Sequence, residues 1–385
     1  MQRGDRVPEL DGIRGLAILL VIYWHYVAIP FGGSGGPALW LARAGLYAWS
    51  GVDLFFALSG FLIGGILVDV RDTPHYFRTF YARRAFRILP IYVVVCGAGI
   101  ALASAIPALG PVLGPPMPAW VYATFTENLW LLRGPWNVYL AATWSLAVEE
   151  QFYLTLPLIV RAVSPARLRN AVVALAVVSL AVRTIFAFTV GPGGHVLMPC
   201  RADALMLGVW AALIVRDERV RKRIAATPAP LYAAIGLCGG GLALFAWRGV
   251  AVHALSFATV AYSLFAVLYV SLLLLAVCRP GGVWARLMRL PPLRRMGKLA
   301  YGLYLLNEPI LALTRLVLQR VGLGDGVGAE AAAAVIALVV SIALAELSWR
   351  AFESRLLAIG HRFSYQHGYA RPAAGAPISA RSPGI

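Results

Sequence analysis

The sequence predicts an all-α membrane protein, a polytopic bundle of about ten transmembrane helices with both its N- and C-termini in the cytoplasm. Composition, repeated apolar runs and the distribution of basic residues support this prediction. Of the 385 residues, 60% are apolar and only 13% are charged, and the mean hydropathy is +0.75. One soluble core cannot bury so much apolar surface, so lipid must form part of the surroundings.

Apolar runs recur along nearly the whole chain, and each can cross about 30 Å of hydrocarbon as a helix that rises about 1.5 Å per residue. Helices are expected because an open sheet edge facing lipid would leave backbone groups unpaired. The predicted spans cover residues 13–30, 46–68, 88–107, 142–160, 171–190, 200–215, 231–247, 254–278, 299–318 and 331–349. We expect the first to be a retained helix, because no convincing small-residue cleavage site follows it.

Lysine and arginine set the orientation of these spans. The net charge of +17 would suggest a nucleic-acid partner for a soluble protein. Here, with the N-terminus inside, all but seven of the 34 basic residues fall in alternate segments between spans or in the terminal segments. The exceptions are Arg43, Arg133, Arg183, Arg201, Arg248, Arg315 and Arg320. Under the positive-inside rule this distribution indicates cytoplasmic termini and no nucleic-acid partner.

The chain is predicted to form one membrane domain over residues 1–362. Residues 363–385 are rich in Gly, Pro, Ala and Ser, which is typical of a disordered tail, here cytoplasmic. Cysteines lie scattered in or beside different spans, with neither a CxxC pair nor a histidine at metal-ligand spacing. They are Cys96, Cys200, Cys238 and Cys278. We therefore expect neither a disulfide framework nor a metal site.

Ionisable residues inside the predicted spans are candidates for function, because a charge in the bilayer costs several kcal/mol and usually faces a cavity or a partner. They are His25, Asp53, Glu149, Glu150, Arg183, Asp203 and Glu308. Helical rise places four polar side chains in one layer, roughly 14–20 Å from the inner surface. The four are His25, Asp53, Glu150 and Asn307. This layer is either a reaction centre or a set of interhelical hydrogen bonds that fixes packing.

Several motifs occur in order along the chain. ELDGIRGLAILLVIYWHY contains Arg14 and His25, with ten residues between them, and GVDLFFALSGFLIGGIL covers 51–67. They are followed by FYARRAFRILPIY at 80–92, TWSLAVEEQFYLTLP at 143–157, PCRADALMLG at 199–208 and LSWRAFESRL at 347–356. From about residue 8 to 357 the chain thereby resembles the acyltransferase 3 family of integral membrane O-acyltransferases.

This resemblance implies an acyl-CoA-dependent transferase of the inner membrane. It would move an acetyl or other short acyl group from cytoplasmic acyl-CoA, a co-substrate rather than a bound cofactor, to a carbohydrate hydroxyl. The acceptor would be a cell-envelope polysaccharide, a glycolipid or a glycosylated metabolite. One position departs from the family pattern, since Asn307 stands where a histidine commonly precedes proline. An amide cannot exchange protons at neutral pH, so an acid-base role is not expected there.

Such a transfer needs a base near the acceptor hydroxyl and a group that orients the base. His25 is the candidate general base, activating the acceptor or first taking the acyl group itself. Glu150 or Glu149 is expected to orient the imidazole, and Asp53 is an alternative for that role. Adjacent glutamates point about 100° apart on a helix, so one is expected to face the site and the other to face elsewhere.

Four arginines are candidates for binding the phosphates of acyl-CoA, because guanidinium groups match phosphate geometry. They are Arg14, Arg83, Arg84 and Arg87, the last three expected just before the third span. Alternatively these arginines only set the topology and bind lipid headgroups. Arg201 and Asp203 either contact the acceptor or pair with neighbouring residues. Tyr153 and nearby aromatics either pack or wall a sugar pocket.

A proton-coupled transporter or a polysaccharide flippase is the alternative from another functional class, because buried carboxylates in a helical bundle also suit a carrier. The sequence shows neither repeated halves nor matching broken helices, which many secondary transporters have. The enzyme is therefore the favoured interpretation.

Overall fold

The computed structural model describes residues 7–106, 109, 114–132, 134, 136, 140–252, 254–324, 326–366 and 368–369. These residues are mainly helical. In chain order the helices are α1 (Pro8–Phe31), α2 (Gly36–Ala44), α3 (Gly51–Asp69), α4 (Tyr76–Ala105), α5 (Ala119–Ala123), α6 (Glu127–Leu131), α7 (Trp144–Ala162), α8 (Pro165–Thr189), α9 (Met198–Ile214), α10 (Glu218–Ala226), α11 (Ala229–Trp247), α12 (Phe257–Cys278), α13 (Val283–Met288), α14 (Pro291–Arg320) and α15 (Gly326–Gly360).

Within the described ranges, seven helical segments are long and apolar enough to cross a membrane. They are α1, α2 with α3, α4, α8, α11, α12 and α15. Helices α9 and α10 together could form an eighth, with a bend of 101°. Each of the predicted spans falls on a long helix, and the remaining two long helices, α7 and α14, are not among these apolar segments. The chain is therefore a helical, multi-pass membrane protein.

Helices α3 and α9 approach so closely that their backbones touch. A Cβ atom added to Gly60 would lie 1.9 Å from the carbonyl oxygen of Leu205, and one added to Gly208 would lie 2.2 Å from that of Ala57. Small residues allow such close helix contacts in membranes, where packing rather than hydrophobic exclusion drives association. The two glycines thus fix the crossing point of α3 and α9.

Helices α1 and α14 also touch through their backbones at glycine residues. A Cβ on Gly15 would lie 1.9 Å from the carbonyl oxygen of Leu293, and one on Gly297 would lie 1.8 Å from that of Asp11. This crossing places Arg14, the neighbour of Gly15, at the level of the first turns of α14.

Two buried ion pairs connect α9 to its neighbours. Arg201 Nη2 donates to Asp53 Oδ1 of α3, and Arg183 Nη1 of α8 donates to Asp203 Oδ2 at 2.8 Å. Ser263 of α12 also donates to Asp203 Oδ2, at 2.7 Å. Buried charges in a bilayer usually pair in this way. Arg201 and Asp203 thus pair with neighbouring residues, which is one of the two alternatives that the sequence leaves open.

The C-terminal segment contains a short strand pair. Phe363–Ser364 (β1) pairs antiparallel with Gly368–Tyr369 (β2), within the first residues of the tail that the sequence predicts to be disordered. Arg83 holds this strand pair, because its Nε and Nη2 donate to the Phe363 carbonyl oxygen at 3.0 and 2.7 Å. Its guanidinium also lies 5.0 Å from the centre of the Tyr365 ring. The rest of the predicted tail, residues 367 and 370–385, lies outside the described residues.

The three arginines expected just before the third span lie on a helix. Helix α4 begins at Tyr76 and therefore includes Arg83, Arg84 and Arg87. The segment is rich in arginine and alanine, which form helices well, and contains no glycine or proline before Pro90. Basic residues set topology equally well from a helix that extends beyond the hydrocarbon.

Candidate active site

Two cavities lie along the interior of the bundle. The first, which we call the basic cavity, has a volume of about 110 Å³ and contains three arginines, Arg14, Arg84 and Arg87. The second, the aromatic cavity, has a volume of about 370 Å³ and contains His25. Val52 and Tyr304 line both cavities and so form part of the wall between them.

The basic cavity gathers residues from α1, α3, α4, α7 and α14. Arg84 and Arg87 form no hydrogen bond or ion pair with any residue that the structure describes, whereas Arg14 Nη1 lies 3.3 Å from Asp11 Oδ1. Three guanidinium groups thus face one cavity with unused donors. This arrangement suits an anionic ligand such as a phosphate.

A carboxyl group lies in the wall of the same cavity. Ser59 Oγ donates to Glu149 Oε1 at 2.7 Å, and Tyr153 Oη donates to Glu149 Oε2 at 3.1 Å. The hydroxyl group of Ser59 therefore lines the basic cavity and contacts the Glu149 carboxyl group. Neighbouring Gly60 makes the close backbone contact instead.

His25 lies in the wall of the aromatic cavity, paired with a carboxylate. Its Nε2 lies 2.9 Å from Glu308 Oε1, and its Nδ1 is buried without a hydrogen-bond partner among the described residues. The pair joins α1 to α14. A histidine with one nitrogen held by a carboxylate and the other unpaired has the arrangement that general-base catalysis requires.

The winding of α1 changes at His25. Trp24–Ala28 forms a π-helical turn inside α1, followed by Ile29–Phe31 in α conformation. Pro30 lacks an N–H group, so a regular hydrogen bond cannot form there. Such π-turns are rare and occur frequently at functional sites.

Aromatic rings form most of the remaining wall of the aromatic cavity. His195 stacks on Trp136 and on Tyr262, with ring centres 5.8 and 6.0 Å apart, and meets Trp144 edge-on at 5.9 Å. The Arg201 guanidinium lies 4.2 Å from the centre of the Tyr262 ring. A mostly aromatic pocket with a few polar groups is the usual form of a small-molecule site.

The partition between the cavities is held by hydrogen bonds. Tyr304 Oη donates to the carbonyl oxygen of Ala142 at 2.8 Å and also contacts Ser145 Oγ. Phe55 meets the Tyr304 ring edge-on, with centres 6.2 Å apart. The ring of Tyr304 is thus fixed between the arginines and His25.

The two adjacent glutamates of α7 face different surroundings, as their spacing predicts. Glu149 lines the basic cavity, whereas Glu150 lines neither cavity, and its Oε1 is buried without a hydrogen bond to any described residue. The structure therefore pairs His25 with Glu308 rather than with Glu149 or Glu150. Asp53, the other alternative, is engaged by Arg201.

Asn307 also lies away from the cavities. Its side chain is buried, and Nδ2 donates to the carbonyl oxygens of Leu303 and Tyr304 at 3.1 and 2.6 Å. The amide thus binds its own helix just before Pro309. The next residue, Glu308, reaches His25 instead. Arg83 is likewise outside the basic cavity, since it holds the C-terminal strands.

For some residues of the site, the sequence contains no signal that identifies their role. Glu308 is an ionisable residue inside a predicted span, one position from Asn307, but its pairing depends on the rotation of α14. The aromatic wall contains residues from segments between the predicted spans, where no periodicity indicates direction. They are Trp136 and His195.

A membrane bundle with a histidine–carboxylate pair between a basic and an aromatic cavity has the features of a membrane-embedded group-transfer enzyme. The model of the acyltransferase domain family matches residues 7–346. The chain therefore belongs to the acyltransferase 3 family, as the motifs predict.

Three curated relatives show what the chain is similar to. YrhL of Bacillus subtilis is 28% identical, over 92% of this chain and 56% of its own length. O-acetyltransferase OatA of Staphylococcus aureus is 25% identical over 79% of this chain and 50% of its own. Peptidoglycan O-acetyltransferase OatA of Listeria monocytogenes is 25% identical over 90% and 55%. The chain spans about half the length of these relatives. No solved structure shows significant similarity to it.

Proposed function

We propose that this chain is an O-acyltransferase that moves an acetyl or other short acyl group from acyl-CoA to a carbohydrate hydroxyl. The observation that carries the proposal is the His25–Glu308 pair, which lies in a cavity large enough for a sugar and beside a cavity lined by arginines. The names of the two OatA relatives, which are O-acetyltransferases and in one case a peptidoglycan O-acetyltransferase, support an acetyl group and a peptidoglycan acceptor.

On the acceptor side, a sugar would lie among the aromatic rings, whose apolar faces suit a ring with apolar faces and polar edges. His25 would take the proton of the attacking hydroxyl, and Glu308 would stabilise the imidazolium that forms. The hydroxyl oxygen then attacks the thioester carbonyl, and the coenzyme A thiolate leaves and takes up a proton. In a variant of this scheme, His25 first accepts the acyl group.

On the donor side, Arg14, Arg84 and Arg87 would bind the phosphates of acyl-CoA. The thioester lies at the end of a long, narrow pantetheine arm, which would extend from the arginines towards Tyr304. Because Tyr304 and Val52 line both cavities, the acyl group and the acceptor would meet at this partition. We leave Arg83 out of the donor site because of its contacts with the C-terminal strands.

We further propose that ten long helices cross the membrane, with residues 1–362 as the membrane domain and both termini in the cytoplasm. Helices α7, α9 and α14 would also cross the membrane, although polar residues lower their apolar content. Among these polar residues, Glu149 and Glu308 line the two cavities, and Arg201 forms a buried ion pair. The basic cavity then opens towards the cytoplasm, where acyl-CoA is made. The alternation of basic segments along the chain supports an inner-membrane protein in this orientation.

Transfer of label from acetyl-CoA tests the proposal. Purified protein in lipid nanodiscs would be incubated with labelled acetyl-CoA and soluble peptidoglycan fragments. We expect transfer by the wild type and a loss of at least about a hundredfold in His25→Ala, because general-base catalysis typically contributes that much. His75→Ala, which lies outside both cavities, is the matched control. Undiminished transfer by folded His25→Ala would overturn the mechanism.

A further inference from the structure

A third cavity, on the outside of the bundle, is not part of the proposed active site. It is a cleft of about 430 Å³ between the first turns of α14 and the last part of α15. Its charged and aromatic residues are Arg294, Arg295, Lys298, Glu346, Trp349 and Arg350. They recur every three or four residues, so one face of each helix contributes to the cleft.

The cleft has a large excess of positive charge. Glu346, the one carboxylate among the described residues that line the cleft, lies 3.2 Å from Arg295 Nη2 and 2.6 Å from Arg350 Nη2. Lys298 and Arg294 form no ion pair within the described part of the chain, and Arg294 Nε is buried without a hydrogen-bond partner. Four cationic groups therefore share a single anion, which leaves room for an anionic ligand.

The level of the cleft in the membrane follows from the α1–α14 crossing. Gly297 touches the backbone of α1 between Asp11 and Gly15, so Lys298 lies at the level of Arg14. The cleft is thus at the same end of the bundle as the basic cavity, but on the other side of α14. This is the level at which phospholipid headgroups are expected.

An apolar stripe continues from the cleft along α15. Ile336, Val340, Leu344 and Leu347 are exposed at intervals of three or four residues, and Arg350 follows at the end of the stripe. Such a surface fits acyl chains, with the cationic cleft at its end and Trp349 at the position of an interfacial aromatic. A soluble anion would use the charges but not the stripe.

We propose that this cleft binds the headgroup of an anionic phospholipid whose acyl chains lie along α15. The excess of three positive charges favours a lipid with two phosphates, such as cardiolipin. Basic pockets between membrane helices are suited to such headgroups. The bound lipid would contact α14, the helix that also carries Tyr304 and Glu308. The proposal does not depend on the acyltransferase activity.

Lipid binding by the purified protein tests this proposal. Protein in neutral phosphatidylcholine nanodiscs would be titrated with labelled cardiolipin. We expect Lys298→Gln to weaken binding about fivefold, since each cation near the surface contributes about that factor. The triple variant R294Q/K298Q/R350Q should weaken it at least about tenfold. R219Q/K222Q/R223Q on the exposed helix α10 removes the same charge elsewhere and should change binding less than about twofold.

Three outcomes would overturn the proposal. They are equal loss in the two triple variants, equal binding of phosphatidylcholine and cardiolipin, and displacement of the lipid by soluble pyrophosphate or ADP at similar concentration. The last result would indicate a soluble phosphate ligand. Thermal unfolding in neutral lipid would show whether the triple variant is folded. If it is not, the exposed Lys298→Gln decides the question.

Discussion

His25 lies within the π-turn Trp24–Ala28 of α1 and pairs there with Glu308. A π-turn inserts one extra residue per turn, which rotates the following side chains relative to a regular helix. Helical spacing alone therefore predicts the depth of His25 but not its direction. The directions of Asn307 and Glu308 are equally unpredictable from helical spacing. Although the two residues are adjacent, Asn307 binds its own helix and Glu308 pairs with His25.

The first prediction separates the roles of two buried glutamates, Glu308 and Glu150. Glu308→Gln should lower the rate of acyl transfer by about a hundredfold, because the amide cannot stabilise a protonated His25. Glu150→Gln should leave the rate within about threefold, since Glu150 lines neither cavity. Steady-state transfer rates in nanodiscs measure both. A larger loss in Glu150→Gln than in Glu308→Gln would contradict the assignment.

The second prediction concerns Tyr304. Tyr304→Ala should join the two cavities and admit water to the thioester, so acyl-CoA hydrolysis without acceptor should rise severalfold. Tyr304→Phe keeps the ring in the partition and should keep hydrolysis close to the wild-type rate. Release of free thiol from acetyl-CoA is the measurement. If the alanine variant hydrolyses no faster than the phenylalanine variant, Tyr304 does not separate the cavities.

At the level of elements, the helices follow closely from apolar run length, because lipid imposes one length on every span. Ends outside the hydrocarbon are less predictable. Helix α4 continues back to Tyr76, since arginine and alanine form helices as well as apolar residues do. The strand pair at Phe363 was missed because it depends on Arg83, nearly three hundred residues earlier in the chain.

The third prediction tests the α3–α9 crossing. Gly208→Ala should destabilise the protein by about 1–3 kcal/mol, because the new Cβ would overlap the carbonyl oxygen of Ala57. Gly239→Ala on α11 is the matched control, since a Cβ there meets nothing within 4 Å. Thermal unfolding in detergent compares the two. Equal unfolding temperatures would show that the helices can move apart without cost.

The fourth prediction concerns pH at the end of α15. Burial, together with Arg83, Arg84 and Arg87, lowers the pKa of His361 below its ordinary value of 6.5. The unfolded segment therefore takes up a proton at a higher pH than the folded one, so folding of this segment weakens as the pH falls below about 6.5. Hydrogen exchange at Phe363 and Ser364, corrected for intrinsic rate, should accelerate between pH 7.5 and 5.5.

His361→Asn should remove this dependence, because an amide does not titrate in this range. His75→Asn, a change of the same kind at the residue just before α4, is the control. Exchange that accelerates equally in the wild type and in His361→Asn would place the titrating group elsewhere.

At the scale of the whole molecule, the motifs identify the family, but not the division of the candidate site into two cavities. Arg14 and His25 share one motif and one helix, yet they face different cavities because about eleven residues separate them along α1. Glu149 likewise lines the basic cavity, whereas Arg201 lines the aromatic cavity. The pattern gives each residue a depth, whereas the contacts across helices decide which residues share a cavity.

We propose that donor and acceptor reach one site from opposite ends of the bundle. Transfer of label across a membrane, with acetyl-CoA on one side and the acceptor on the other, tests this. Proteoliposomes would enclose soluble peptidoglycan fragments and receive labelled acetyl-CoA only from outside. We predict label on the enclosed fragments, from molecules whose basic cavity faces outward, and none with His25→Ala. In a parallel sample, peptidoglycan fragments would also be added outside, together with the acetyl-CoA. Label on these outer fragments and none on the enclosed ones would contradict the proposal.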